Sequence, residues 1–160
     1  MEKEQNSKDA QTEFAFTAEF PAKAAKACSS KTCKDTLGKV KLFHDACGVF
    51  TPESPHLSDA KLNELRYALL AEELEELKEG MDSQDPVAVL DALIDLQYVL
   101  DGAFLALGFS DYKNLAFDEV QRSNMSKLGE DGQPILREDG KVLKGPNYFA
   151  PDLYSVINGD

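Results

Sequence analysis

The sequence predicts an all-α fold, on three observations. Apolar residues recur at helical spacing from about residue 35 to 128. Gly48, Gly80 and Gly108 stand just past three of these segments, where helices commonly stop. Ser58 or Asp59, and then Pro86, stand where two of them would begin. The expected architecture is four main helices forming a bundle, with a short C-terminal hairpin or extended arm. Residues 1–34 read as a weakly structured N-terminal arm, 35–128 as the helical domain and 129–160 as a C-terminal extension.

In the arm, Phe14, Phe16 and Phe20 are spaced for a short strand or a packing segment. The first helix starts at about Asp35, with Leu37, Val40, Phe43 and Cys47 on one face and Gly48 as its stop. Val49 to His56 contains Pro52 and Pro55 and reads as a loop. The second helix runs to Glu79 and ends at Gly80. The third, Pro86 to Leu107 closed by Gly108, is apolar almost all the way round, which predicts a central, buried helix. The fourth, about Tyr112 to Leu128, carries Phe117, Val120, Asn124, Lys127 and Leu128 along one stripe. Beyond it, Glu138-Asp139-Gly140 is a turn between Pro134-Ile135-Leu136 and Val142-Leu143.

At 160 residues the chain is long enough for one domain with a real core. Its net charge of −12 argues against a nucleic-acid backbone or an anionic membrane as partner. A phosphorylated ligand remains compatible, provided that divalent cations reverse the local sign. No run of 18 apolar residues exists, so no membrane span is expected. The polar, acidic N-terminus fits neither a secretory signal nor a basic transit peptide. Three cysteines, Cys28, Cys33 and Cys47, fit reduced thiols in a cytoplasmic setting. The Cys28–Cys33 spacing, with no second ligand pair nearby, is a poor zinc signature.

The chemistry concentrates in two helices. Winding Leu62 to Gly80 at 100° per residue puts Leu65, Leu69, Leu70, Leu74, Leu77 and Met81 in one broad apolar sector. Glu73 and Glu76 fall inside that sector and Glu72 at its edge, while Glu75 and Glu79 point to water. Asp91 and Asp95 interrupt the apolar third helix one turn apart. Buried carboxylates cost several kcal/mol unless paired or bound to a cation. Antiparallel helices joined by the short 81–85 link would bring both sets to one groove, and oxygen ligands in that number suit magnesium or manganese. Against this stand blander readings: a solvated glutamate face, and aspartates satisfied by helix–helix hydrogen bonds.

The order Glu72-Glu73-x-x-Glu76, then Asp91-x-x-x-Asp95-Leu-x-Tyr98-Val99, resembles the all-α nucleoside triphosphate pyrophosphohydrolases, the superfamily of MazG-like proteins, dimeric dUTPases and phosphoribosyl-ATP pyrophosphohydrolases. Their signature is E-E-x-x-E followed by E-x-x-D. The stretches Phe43-His44-x-Ala46-x-Gly48-Val49, Glu119 to Lys127 and Glu138 to Pro146 are similar to a phosphoribosyl-ATP pyrophosphohydrolase-like branch, and the likeness spans roughly residues 36 to 153. It implies magnesium-dependent cleavage of a nucleoside triphosphate between the α and β phosphates. Carried over, Glu73, Glu76 and Asp95 are metal ligands, and Glu72 orients or deprotonates the attacking water. One departure is plain. The first carboxylate of E-x-x-D would fall at Ala92, and Asp91, one residue earlier, is taken as its substitute.

Arg122, Asn124 and Lys127 are the expected phosphate or nucleotide contacts, with Lys141 and Lys144 able to close over phosphates from the tail. His44, at the edge of its helix with Phe43 on the core side, reads first as a packed, hydrogen-bonded histidine. It also stands among the candidate substrate contacts. The resemblance and the all-round apolar third helix imply a homodimer or higher homo-oligomer. Two alternatives stay open: phosphoribosyl-ATP hydrolysis in histidine synthesis, and a non-catalytic helical protein that binds a partner through its apolar faces.

Overall fold

The computed structural model describes residues 35–159. The expected arm with Phe14, Phe16 and Phe20, and the thiols Cys28 and Cys33, lie outside them. The fold is all-α: α1 (Thr36–Cys47), α2 (Ala60–Asp82), α3 (Pro86–Ala106), a 3-10 turn (Ser110–Tyr112), α4 (Lys113–Met125) and a short α5 (Leu153–Asn158). The C-terminal extension was expected to be non-helical, and α5 corrects that. Asp152 starts it, its carboxylate accepting from the Ser155 amide.

The first three helices begin where side chains take up free amides. Asp35, Asp59 and Asp85 each accept from amides of the first turn, and Pro86 opens α3 at a position where no amide is missed. Gly48 ends α1 in the left-handed conformation. Gly80 does not end α2, which continues to Asp82. Here glycine serves close approach: a Cβ would lie 3.0 Å from the Val89 amide nitrogen and 3.3 Å from the Ala88 Cβ. The turn of the chain falls instead at Gln84, with φ 56°.

Helices α2 and α3 therefore lie antiparallel and in close contact, and α1 packs on α3. Three positions fix the register. Gly80 meets Ala88, Glu73 feels the charge of Asp95, and the Arg66 guanidinium lies 3.4 Å from a Cβ built on Gly102. Each step moves seven residues, two helical turns, along both helices.

Burial on α1 departs from expectation by one residue. His44 is buried at 5% exposure, whereas Phe43 is 47% exposed and meets Tyr98 edge-on. The inner stripe is Leu37, Val40, His44 and Cys47, a 3-4-3 spacing that follows a 3.6-residue helix as well as the apolar reading did. The third helix is not buried throughout. Its C-terminal part, Asp101 to Ala106, is largely enclosed, but Val87, Leu90, Leu93 and Ile94 stand exposed.

After α3 the chain turns through 116° into α4. Asp101, fully buried, forms an ion pair with Lys113 across this turn, and the Lys113 ammonium lies 5.7 Å from the Phe104 ring centre. Helix α4 contacts chiefly the 3-10 turn and α5. The face expected to pack, with Phe117 and Val120, is exposed; Ser123 is the residue that buries, donating to the Phe149 carbonyl at 2.8 Å. The tail forms the expected hairpin around Gly140, with Leu136 bridging Val142. It returns along α4 through Gly145, whose amide donates to the Lys127 carbonyl at 2.9 Å. No single helix among the described residues is long and apolar enough to cross a membrane.

Candidate active site

The α2–α3 register brings Glu72, Glu73, Glu76, Asp91 and Asp95 to one end of the groove. Glu73 sits at the centre of α2's packed stripe and is half-buried. Burial holds its carboxyl above the ordinary carboxylate range, and Glu76, Asp95, Glu72 and Asp91, in that order, push it the same way. No lysine or arginine among the described residues acts on it in the opposite sense. Glu76 lies at the rim of the stripe and is exposed, as are Glu72, Asp91 and Asp95. The expectation of two carboxylates in the core is thus wrong for Glu76, and Glu73 is only partly enclosed rather than buried. The stripe is narrower than the composition implied, because α3 alone covers it: Leu65, Leu74 and Met81 at its edges are exposed too.

The donor set fits a hard divalent cation by its chemistry. It consists of oxygens only, it is strongly anionic, and Glu73 is raised in proton affinity by its acidic neighbours. The side chains do not close on a point, and among the described residues no three His, Cys, Asp or Glu converge in metal-binding geometry. At Ala92, the family's carboxylate position, the side chain is buried at 2% exposure, so a carboxylate there would face helix rather than groove. Asp91 faces out and lies within the field of Glu73.

The expected substrate contacts are not in this cluster. Arg122 pairs with Glu119 through two hydrogen bonds of 2.7 and 2.8 Å and stacks 4.3 Å from the Phe149 ring centre. These bonds, together with the Asp152 amide, hold the Glu119 carboxyl below its usual range. Arg122 thus fastens the tail to α4. The Lys127 ammonium donates to the Asn124 side-chain oxygen at 2.7 Å. Asn124 and Lys127 stand past the 116° bend between α3 and α4, and among the described residues no hydrogen bond or ion pair joins them to the carboxylates of α2 and α3. Lys141 lies in the exposed hairpin, and Lys144 sits over Tyr148 at 4.2 Å.

His44 is packed, as expected, but its Nδ1 has no hydrogen-bond partner among the described residues. Burial lowers its proton affinity, with Arg66 adding to the effect, so it is neutral at pH 7. Arg66 was missed from the sequence. The signal was present: it lies seven residues before Glu73, in the middle of the same apolar sector.

The family profile described as phosphoribosyl-ATP pyrophosphohydrolase matches residues 40–124. No curated protein matches the chain. The matched span begins at Val40 on α1, holds the whole carboxylate groove, and ends at Asn124 on α4. Enzymes of this family generally work with a divalent metal. The chain belongs to the phosphoribosyl-ATP pyrophosphohydrolase family, within the MazG-like superfamily, and is a pyrophosphohydrolase that acts on an acid-anhydride bond.

Proposed function

We propose that this enzyme hydrolyses a nucleoside triphosphate, ribo or deoxy, between its α and β phosphates in a magnesium-dependent reaction. The products are a nucleoside monophosphate and pyrophosphate. The observation that supports this reading is the grouping of Glu72, Glu73, Glu76, Asp91 and Asp95, where burial first and then the four neighbouring carboxylates raise the Glu73 carboxyl, with no cationic side chain among the described residues to balance them. Glu73, Glu76 and Asp95, with Asp91 in place of the family carboxylate at Ala92, would hold the cation, and manganese would serve in place of magnesium. When bound, such a cation neutralises the triphosphate and stabilises charge developing on the phosphoryl oxygens. Glu72, exposed at the rim beside them, orients a water and takes its proton. The water oxygen bonds to the α-phosphorus as the bridge to the β-phosphate breaks, and pyrophosphate departs.

A second reading, favoured by the family match, is that phosphoribosyl-ATP is the substrate. The bond broken is of the same kind. A panel of common nucleoside triphosphates and phosphoribosyl-ATP, followed by pyrophosphate release, separates the two readings. Housekeeping of the nucleotide pool predicts turnover of one or more of the common triphosphates, and turnover of phosphoribosyl-ATP alone gives the second reading.

We propose further that the enzyme is a homodimer or larger. Val87, Leu90, Leu93 and Ile94 on α3, and Phe117 on α4, are large apolar side chains left exposed, surface that a second copy would cover. Asn124 and Lys127, which make no hydrogen bond or ion pair with the carboxylates of their own chain among the described residues, would reach those of a second copy. Mixing Glu73→Gln subunits with Asn124→Ala subunits tests this: shared sites regain activity in the mixture, and self-contained sites do not. A cytoplasmic setting belongs to the same proposal.

A further inference from the structure

Arg66 is anomalous in this chain. Acidic residues outnumber Lys and Arg by 29 to 17, yet Arg66 takes no carboxylate partner among the described residues. It is half-buried on α2, and its Nε is enclosed with no hydrogen-bond acceptor. A guanidinium left in that state forgoes its strongest interactions. Asp101, one residue from the glycine that Arg66 faces, pairs with Lys113 through Oδ1, and its buried Oδ2 makes no hydrogen bond to Arg66 or to any other described residue.

The surroundings keep the guanidinium where it is and free of a partner. Gly102, opposite it on α3, offers no side chain; a Cβ there would come within 3.4 Å of the Arg66 terminal nitrogen and 3.3 Å of the His44 Nε2. His44 closes the third side from α1, buried at 5% exposure, with Nδ1 unsatisfied. A neutral imidazole packs beside the cation without repelling it and supplies no counter-charge. Three helices thus build a cradle for one cationic side chain.

The cradle lies on the same groove as the carboxylates. Arg66 precedes Glu73 by seven residues and Gly102 follows Asp95 by seven. The two levels are therefore separated by two helical turns, about 10 Å. That spacing suits a substrate that carries anionic groups some distance apart.

We infer that Arg66, set by His44 and Gly102, binds a phosphate of the substrate other than the one under attack. This rests on the proposed triphosphate hydrolysis. Two sources carry that chemistry: the terminal phosphate of the triphosphate, and the second phosphate that phosphoribosyl-ATP carries at its far end. Arg66 is then a specificity-determining residue rather than a member of the reacting group.

The test compares the full-length enzyme with Arg66→Gln and Arg66→Lys. Steady-state kinetics on ATP and phosphoribosyl-ATP are read alongside calorimetric binding of inorganic pyrophosphate in chelator. Loss of a charge-assisted contact should raise KM about tenfold or more in Arg66→Gln, with a smaller change in kcat and partial rescue in Arg66→Lys. A terminal-phosphate contact raises KM for both substrates and weakens pyrophosphate binding by a similar factor. A contact to the second phosphate raises KM for phosphoribosyl-ATP alone and leaves pyrophosphate binding unchanged. Unchanged KM for both substrates and unchanged pyrophosphate binding overturn the inference, whatever happens to Tm, because Arg66 is then structural. If a triphosphate other than ATP is the one turned over, it takes the place of ATP in the kinetics. If the wild-type enzyme hydrolyses none of the common nucleoside triphosphates and no phosphoribosyl-ATP, the proposed function fails. The pyrophosphate titration alone then decides on Arg66: weaker binding to Arg66→Gln supports the anion site, and equal binding ends it.

Discussion

Val87, Ile94 and Leu105 lie along one stripe of α3, since eighteen residues make five helical turns. Leu105 is 2% exposed, while Val87 is 74% and Ile94 60% exposed. The sequence treats the two ends of this stripe alike; the packing does not. Helix α1 and the turn into α4 enclose the C-terminal end, where the ion pair of Asp101 with Lys113 is also buried. The N-terminal end has only α2 beside it, and there the carboxylates gather. The difference shows that an apolar helix face is a demand for a neighbour, which this chain meets at one end only. The other end, beside the candidate catalytic groove, is the surface we assign to a second copy.

The largest effect expected from breaking this comparison is at the buried end. Leu105→Ala removes a fully enclosed side chain and should cost about 2–5 kcal/mol in denaturant unfolding. Ile94→Ala, on the same stripe, should barely change the stability of dilute, dissociated protein while weakening self-association in sedimentation. Equal losses of stability from both would mean that the bare end is covered within one chain.

The next effect is catalytic. Glu72→Gln should lower turnover by roughly 10² or more, the usual weight of a general base, without loss of fold. Glu75→Gln is the control, since that side chain faces solvent, away from the stripe that packs on α3. Similar losses from the two would show that the groove is misassigned.

Asp91 sharpens the same contrast on α3. If it serves the cation, Asp91→Asn weakens the magnesium dependence of the rate yet leaves the metal-free protein as stable or more stable, because it removes one of the charges acting on Glu73. A helix-bridging Asp91 would do the reverse, costing stability and sparing magnesium dependence.

The smallest effect is the pH response of His44 at the enclosed end. Its proton affinity is lowered from the ordinary value of 6.5, chiefly by burial. As pH falls below that value the unfolded chain takes up a proton before the folded one does, so stability is lost, by no more than about 1.4 kcal/mol per pH unit. Above it the histidine is neutral in both states and contributes no slope. In His44→Gln this loss between the ordinary and the lowered value should disappear from unfolding curves taken across mildly acidic pH; an unchanged slope would place it on other groups.

Much of this was legible before the structure. Asp35, Asp59 and Pro86 mark helix starts by chemistry that needs no tertiary context, and the carboxylates of α2 and α3 stand out at helical spacing. What was not legible depends on neighbours. Whether Phe43 or His44 turns inward is one residue of helix rotation, and the decision lies with Gly102 on another helix. Gly80 looks like a stop in sequence, but its reason is the backbone of α3 passing within contact. The Phe117 stripe on α4 is apolar in composition, yet Phe117 is exposed because the bend leaves an open cleft between it and Leu100 and Phe104 of α3. Arg66 hid among leucines, because a long side chain with an apolar stem fits an apolar helix face by packing alone.

The central claim is that the carboxylate groove hydrolyses the α–β bond of a nucleotide triphosphate with a divalent cation. The most direct measurement is product analysis of the full-length enzyme with each substrate, in magnesium and again in excess chelator. The account predicts pyrophosphate and a nucleoside monophosphate (or its phosphoribosyl form) in magnesium, none in chelator, and recovery on adding magnesium or manganese. Undiminished hydrolysis in chelator, or orthophosphate released in place of pyrophosphate, would contradict it.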